Sequence, residues 1–230
     1  MKNILLIGDS IKKGYDSYVK EAMRNVANVS YHDENCRFSQ YILRYLHMWK
    51  DDLKLQNVDL VHWNVGHWDT LRIYGDDCLT SPEMYGENLL RISQRIEFLF
   101  PGSIQVFALS TPVIESGYVK DFEMRYNSDV ERYNRIAVDV LKPRGVVIND
   151  LYTPLKDKPD NFHSDQTHYY TADATEFIGT QVCEIICDEL NLDKNKLVTP
   201  DKKQFEITSY KNDNELYVKK GDYYELVQGI

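Results

Sequence analysis

A chain of 230 residues is expected to form one large domain with a small appendage, because globular domains usually hold about 50–250 residues. Hydrophobic residues make up 43% of it and charged residues 27%, which is typical of a soluble globular protein and argues against disorder. The net charge of −9 argues against nucleic acid or an anionic membrane as a partner, because like charges repel. No apolar run approaches the about 20 residues of a membrane span, and little sequence precedes Ile4, so we expect a cytoplasmic protein.

Short apolar runs alternate with longer segments of helical periodicity along most of the chain. The predicted strands are Ile4–Ile7, Val26–Tyr31, Leu60–Asn64, Ile104–Leu109 and Val146–Ile148. The predicted helices are Tyr15–Asn25, Tyr41–Trp49, Pro82–Phe100, Asp129–Leu141 and about Ala172–Leu190. Alternation of this kind predicts a parallel sheet with crossover helices, in a three-layer α/β/α sandwich.

The sequence after Leu190 changes to polar, alternating segments. Phe205–Tyr210, Leu216–Lys219 and Tyr223–Val227 are predicted as short antiparallel strands. We therefore divide the chain into a main domain, residues 1–192, and a β-rich extension, residues 193–230. The extension is expected either to pack on the main domain or to form an edge or a dimer contact.

The four cysteines do not have the spacing of a metal site. Cys36, Cys78, Cys183 and Cys187 lack both a Cys-x-x-Cys pair and histidines at zinc-finger distances. Reduced thiols and no bound metal are expected.

A serine follows the first predicted strand directly, in Gly8-Asp9-Ser10. Ligand sites of open parallel sheets form beyond the carboxyl ends of the strands, so Ser10 is a candidate for chemistry. A serine at a helix start is also a common N-cap. On this motif alone the two interpretations have about equal weight.

A serine hydroxyl needs a base, usually a histidine held by a carboxylate. Asp165-Gln166-Thr167-His168 lies after the fifth predicted strand and before the last helix. A three-residue step across a turn can place Asp165 and His168 on one side, so they are the candidate pair. His163 is less suitable, because a two-residue step normally sends side chains to opposite faces.

Gly-Asp-Ser after the first strand, Asp-x-x-His before the last helix and the α/β alternation between them resemble the SGNH or GDSL-like hydrolases over about residues 1–190. The resemblance implies a flavodoxin-like sheet with strand order 2-1-3-4-5. It also implies ester hydrolysis through an acyl-serine, without a metal or organic cofactor. By this resemblance Ser10 is the nucleophile, His168 the general base and Asp165 its orienting carboxylate.

The family's oxyanion hole is matched less closely. Its glycine after the second strand corresponds to Cys36 here, and any residue but proline still offers the N–H group. The block Gly-x-Asn-Asp corresponds to Gly66-His67-Trp68-Asp69, with a tryptophan where asparagine is usual. We therefore predict oxyanion donors at the Ser10 and Cys36 N–H groups and at the side chain of Asn64, the nearest amide.

Asp9, Arg37, His67 and Trp68 are candidate substrate contacts near this site, although Arg37 could instead pair with an acidic residue. The expected reaction is removal of an acetyl or another short acyl group from a carbohydrate or similar alcohol. One alternative is a noncatalytic SGNH-like module that binds glycans or proteins. Another is a module that binds a nucleotide or phosphoryl group at the first strand–helix turn. Gly14 is the only glycine in the segment shortly after Ser10, however, and no glycine-rich phosphate motif is present.

Overall fold

The computed structural model describes residues 1–119, 122–205, 215–220 and 223–228. Its main sheet contains five strands: β1 (Lys2–Ile7), β2 (Ala27–Tyr31), β3 (Leu60–Trp63), β5 (Ile104–Ala108) and β7 (Val147–Asn149). Their order is β2-β1-β3-β5-β7 and every pair is parallel. Two short strands outside this sheet, β4 (Arg72–Ile73) and β6 (Glu123–Met124), pair antiparallel. Counted within the main sheet, the order is the predicted 2-1-3-4-5, which is confirmed.

Helices cover both faces of the sheet. They are α1 (Ser10–Ala22), α2 (Ser39–Asp52), α3 (Pro82–Leu99), α4 (Asn127–Leu141), α5 (Tyr152–Lys156) and α6 (Ala172–Leu190). Along β1, Ile4 and Leu6 pack with α1 and α6, whereas Leu5 and Ile7 pack with α2, α3 and α4. Because successive strand residues point to opposite faces, a strand buried on both sides is a continuous apolar run. The predicted three-layer sandwich is therefore confirmed.

The first helix begins earlier than predicted. Asp9 occupies the N-cap, and its Oδ1 accepts a hydrogen bond from the Ile11 N–H at 3.0 Å. This capping starts α1 at Ser10, five residues before the predicted helix start at Tyr15. The last helix has the predicted bounds, and the Thr171 side chain caps it.

The chain between α6 and residue 205 contacts the main domain. The Val198 N–H donates to the Ala22 carbonyl at 2.8 Å, and the Phe205 ring lies 5.6 Å from the Tyr18 ring. The predicted strand at 205–210 is not found at Phe205, which ends a 3₁₀ turn, and residues 206–210 lie outside the described residues. The domain boundary at residue 192 stays a prediction.

The last two predicted strands are present as β8 (Glu215–Lys220) and β9 (Tyr223–Gln228), which pair antiparallel. Within the described part of the chain, no helix combines the length and the apolar character needed to cross a membrane. All four cysteines are free thiols.

Candidate active site

Ser10 is the first residue of α1 and follows β1 after two residues, so it lies at the carboxyl edge of the sheet. Asp9 occupies the N-cap, so the interpretation of Ser10 as the cap is wrong. The first N–H groups of a helix have no acceptor within the helix. The Ser10 N–H therefore lies where a negatively charged oxygen could bind.

The three predicted side chains form one hydrogen-bonded chain. His168 Nε2 lies 2.8 Å from Ser10 Oγ, and His168 Nδ1 lies 2.7 Å from Asp165 Oδ2. The other carboxylate oxygen, Asp165 Oδ1, accepts the N–H groups of Thr167 at 2.7 Å and of His168 at 2.8 Å. The turn from 165 to 168 thus holds the carboxylate by its own backbone and directs it at the imidazole.

Electrostatics keep this carboxylate ionised. Burial opposes the charge of Asp165, but the hydrogen bonds from the His168 ring and from two backbone N–H groups outweigh it and lower its pKa to about 2. His163, the histidine that the sequence disfavoured, instead packs its ring 4.0 Å from the Tyr169 ring. Burial lowers the pKa of His163 to about 4, so this ring is neutral near pH 7.

Asn64 lies close to the Gly8–Ser10 segment because β1 and β3 are neighbours. Ile7 pairs with Trp63, so the residues that follow these strands meet at one edge. Asn64 Nδ2 donates to Asp9 Oδ1 at 2.8 Å, and one of its two N–H groups remains for another acceptor. Burial raises the pKa of Asp9, against the opposing hydrogen bonds from Ile11 and Asn64.

Cys36 lies beside the Gly8–Ser10 segment, but its N–H group already has an acceptor. It donates to the Gly8 carbonyl at 3.1 Å, which counts against Cys36 as an oxyanion donor. In this loop Arg37 has the left-handed backbone conformation, with φ 48°, so the usual glycine is not needed at position 36. Burial raises the pKa of the Cys36 thiol to about 12, and this thiol is therefore no rival nucleophile at neutral pH.

The candidate substrate contacts differ in their accessibility. Asp9 and His67 are buried, and Asp9 Oδ1 already accepts hydrogen bonds from the Ile11 N–H and the Asn64 amide, which counts against direct contact of Asp9 with substrate. His67 Nε2 lies 3.0 Å from Thr111 Oγ1, and burial lowers the His67 pKa well below its ordinary value. Trp68 and Arg37 are half-buried, and the Arg37 guanidinium lies 5.1 Å from the centroid of the Tyr41 ring. Substrate contact by these last two residues stays a prediction.

Asp69, which closes the Gly66–Asp69 block, holds the start of α2. Its Oδ2 accepts the Ser39 N–H at 3.0 Å, and its Oδ1 accepts the Ser39 hydroxyl at 2.6 Å. A carboxylate at a helix N-terminus is favoured by the N–H groups that lack acceptors there. Burial raises the pKa of Asp69 to about 6, while hydrogen bonds from Ser39 and Thr80 oppose the shift.

Sequence reasoning missed Tyr170, which contacts both Ser10 and His168. Its hydroxyl donates to the Ser10 carbonyl at 2.7 Å, and its ring stacks on the His168 ring at 4.8 Å with an interplanar angle of 21°. A Cβ on Gly14 would lie 2.8 Å from the Tyr170 ring. The only signal in the sequence is this glycine inside α1, because an interior glycine weakens a helix unless something must approach closely.

Sequence reasoning also missed a buried network beside the Asp165–His168 turn. The Tyr118 hydroxyl lies 2.7 Å from Thr167 Oγ1, and Thr167 is one of the backbone donors to Asp165. The Arg125 guanidinium lies 5.8 Å from the Tyr118 ring centroid, and its Nε donates to the His67 carbonyl at 2.7 Å. These contacts join the loop after β3 to the turn that carries the histidine.

Known structures of similar shape were found, although no protein-family model and no curated protein matches the sequence. A lipase/acylhydrolase from Enterococcus faecalis is 18% identical, with a TM-score of 0.64 over 84% of this chain and 98% of that one. An acetyl xylan esterase is 15% identical, with a TM-score of 0.62 over 80% of this chain and 99% of that one.

A third similar structure is a GDSL-like lipase from Bacteroides thetaiotaomicron, 13% identical, with a TM-score of 0.64 over 82% of this chain and 89% of that one. Identities this low report on the fold alone. The chain therefore has the fold of the SGNH or GDSL-like hydrolases.

Proposed function

We propose that this protein is a serine hydrolase that cleaves carboxylic esters through an acyl-serine intermediate. The observation that carries the proposal is the continuous hydrogen-bonded chain from Ser10 Oγ through His168 to Asp165, with distances of 2.8 and 2.7 Å. These are the residue types and contacts that activate a serine hydroxyl for acyl transfer.

The reaction would begin with attack of Ser10 Oγ on the ester carbonyl carbon, as the hydroxyl proton passes to His168 Nε2. Asp165 would stabilise the resulting imidazolium through Nδ1. Collapse of the tetrahedral intermediate would expel the alcohol, which takes the proton from His168. Water, activated by the same nitrogen, would then release the acid and restore Ser10.

The oxyanion of the tetrahedral intermediate would bind to the Ser10 N–H and the second N–H of the Asn64 amide. Both lie at the carboxyl edge of the adjacent strands β1 and β3. Each such donor typically contributes about 10²–10³-fold in turnover. An oxyanion hole with two donors is therefore sufficient for measurable catalysis.

A short acyl group, such as acetyl, is the substrate feature that the geometry favours. Ser10 is 2% exposed and His168 9%, so little of either side chain is open to a bulky acyl group. One of the structures that this chain resembles is an acetyl xylan esterase. We therefore propose an acetylated carbohydrate or similar alcohol as substrate.

A noncatalytic module that binds glycans or proteins is the second candidate. Two observations favour it. The Cys36 N–H group donates to the Gly8 carbonyl and is not free for an oxyanion, and Trp68 stands at the position of the usual asparagine. Such a module would not need the aligned serine, histidine and aspartate.

The test is hydrolysis of p-nitrophenyl acetate and butyrate by the wild type and by Ser10→Ala and His168→Ala variants. His163→Ala is the matched control, since its ring packs on Tyr169 instead. Circular dichroism checks that all four are folded. We expect acetate to be the better substrate, the first two variants to lose turnover by at least about 10³-fold, and the control to retain it. Equal turnover in the wild type and Ser10→Ala would exclude the proposed mechanism.

A further inference from the structure

The Tyr170 ring stacks on the imidazole of His168. The two rings are 4.8 Å apart between centroids and nearly parallel, at 21°, which is an offset-stacked arrangement. Tyr170 is 1% exposed, so water does not screen this contact. The ring therefore presents its electron-rich face to His168 at close range.

The fold holds this ring in place from two sides. The Tyr170 hydroxyl donates to the Ser10 carbonyl at 2.7 Å, which ties it to the first turn of α1. Gly14, one turn further along α1, leaves the space that the ring fills, because a Cβ there would lie 2.8 Å from it. The ring cannot easily turn away from the imidazole.

In the proposed reaction His168 becomes a cation each time it accepts the Ser10 proton. A cation is attracted to the face of an aromatic ring, and more strongly where water is excluded. Resting on the proposed function, we propose that Tyr170 is a positioning residue that stabilises the imidazolium form of His168 in the transition state through its ring face.

Other charged and titratable groups surround the same imidazole. Asp165 and His163 lie on its own segment, Asp9 precedes α1, and His67 follows β3. A simple deletion of Tyr170 could alter the positions of several of them. The experiment must therefore change the electron density of the ring face while it keeps the shape of the ring.

Fluorinated phenylalanines at position 170 make this change, because fluorine withdraws electron density from the ring face. The series compares Tyr170→Phe with proteins that carry 3,5-difluoro- or pentafluorophenylalanine there, together with Tyr170→Leu. We expect kcat for p-nitrophenyl acetate to fall in that order, with the leucine variant about tenfold below the phenylalanine variant. The acid limb of kcat/KM should move to lower pH in the same order, because the protonated ring loses stabilisation.

Position 169 provides the matched control, since the Tyr169 ring packs on His163 and not on His168. The same fluorinated series there should leave kcat unchanged. An identical kcat for the three aromatic rings at position 170 would overturn the inference. So would a Tyr170→Phe variant as slow as Tyr170→Leu, because the hydroxyl contact with Ser10 would then explain the loss.

Inactivation by a fluorophosphonate separates this inference from the proposed function. Ser10 Oγ would attack the phosphorus, fluoride would leave and His168 would take the proton, so the reaction needs the imidazolium but no ester substrate. If the wild type is labelled at Ser10 but does not hydrolyse esters, the proposed function fails, and the order of inactivation rates in the series still decides the role of Tyr170. If Ser10 is not labelled, both proposals fail.

Discussion

Gly8 and Asn64 are in such close contact that a Cβ on Gly8 would lie 1.9 Å from Asn64 Oδ1. No real Cβ tolerates this separation, so the amide can reach Asp9 only if residue 8 has no side chain. The glycine of the Gly-Asp-Ser motif is therefore required by a residue 56 positions away, directly after the neighbouring strand.

Gly8→Ala is predicted to displace the Asn64 amide and also to press on α1, because the added Cβ would lie 2.7 Å from Lys12 Cβ. The loss of one oxyanion donor should lower kcat by about 10²-fold or more. The measurement is steady-state hydrolysis of p-nitrophenyl acetate. Gly86→Ala is the control, because its Cβ would meet two side chains of α4, Ile136 at 3.2 Å and Val140 at 3.7 Å. If Gly8→Ala keeps kcat within twofold of wild type, Asn64 does not have the proposed role.

The Asp165 carboxylate is predicted to stabilise the fold only above about pH 4. Its pKa is about 2, below the ordinary 3.8, so its contribution is present above the unfolded value and lost as the pH falls toward 2. The side chain is 34% exposed, and we therefore expect only about 1 kcal/mol. In urea unfolding, the difference in the free energy of unfolding between the wild type and Asp165→Asn should shrink as the pH falls from 5 to 2.5. A constant difference would contradict the prediction.

Asp69 is predicted to have the opposite pH dependence. Burial raises its pKa to about 6, so its favourable contribution is present below about pH 4 and lost as the pH rises through 6. Between pH 4 and 7 the free energy of unfolding should fall by about 2–3 kcal/mol more in the wild type than in Asp69→Asn. Urea unfolding across this range measures it. Parallel profiles for the two proteins would show that Asp69 does not titrate there.

Substitutions of Tyr118 and Thr167 are predicted to have non-additive effects on stability, because both remove the same hydrogen bond. Tyr118→Phe and Thr167→Val should each lower the free energy of unfolding by about 1 kcal/mol, and the double variant no further than either single one. Thr167→Val keeps the N–H that Asp165 accepts. For comparison, Tyr169→Phe removes a hydroxyl that donates to the Pro112 carbonyl, so its effect should add to that of Tyr118→Phe. Additive losses for Tyr118 and Thr167 would mean that their hydrogen bond contributes nothing.

The fold was predictable because its signals are local. Alternating short apolar runs and helical stripes reveal a parallel sheet, and the last helix has its predicted bounds, with Thr171 as cap. The serine, aspartate and histidine were also predictable. Ser10 follows a strand directly, and the pair Asp165 and His168 is oriented by a single turn.

Contacts between distant segments were not predictable. Cys36 was expected to direct its N–H at substrate, but that group meets the Gly8 carbonyl. Asp9 was expected near the substrate, but it caps α1 and binds Asn64. Both outcomes depend on how loops from neighbouring strands pack at the edge of the sheet.

The order of the elements, the type of sheet and the candidate residues Ser10, Asp165 and His168 could be predicted from the sequence, since each depends on periodicity or on short spacing. The positions of Tyr170 against His168 and of Arg125 between two loops of the site became visible in the three-dimensional structure. These contacts join residues that are far apart in the chain. Packing across the sheet selects a side chain's partners there, and local sequence carries almost no trace of it.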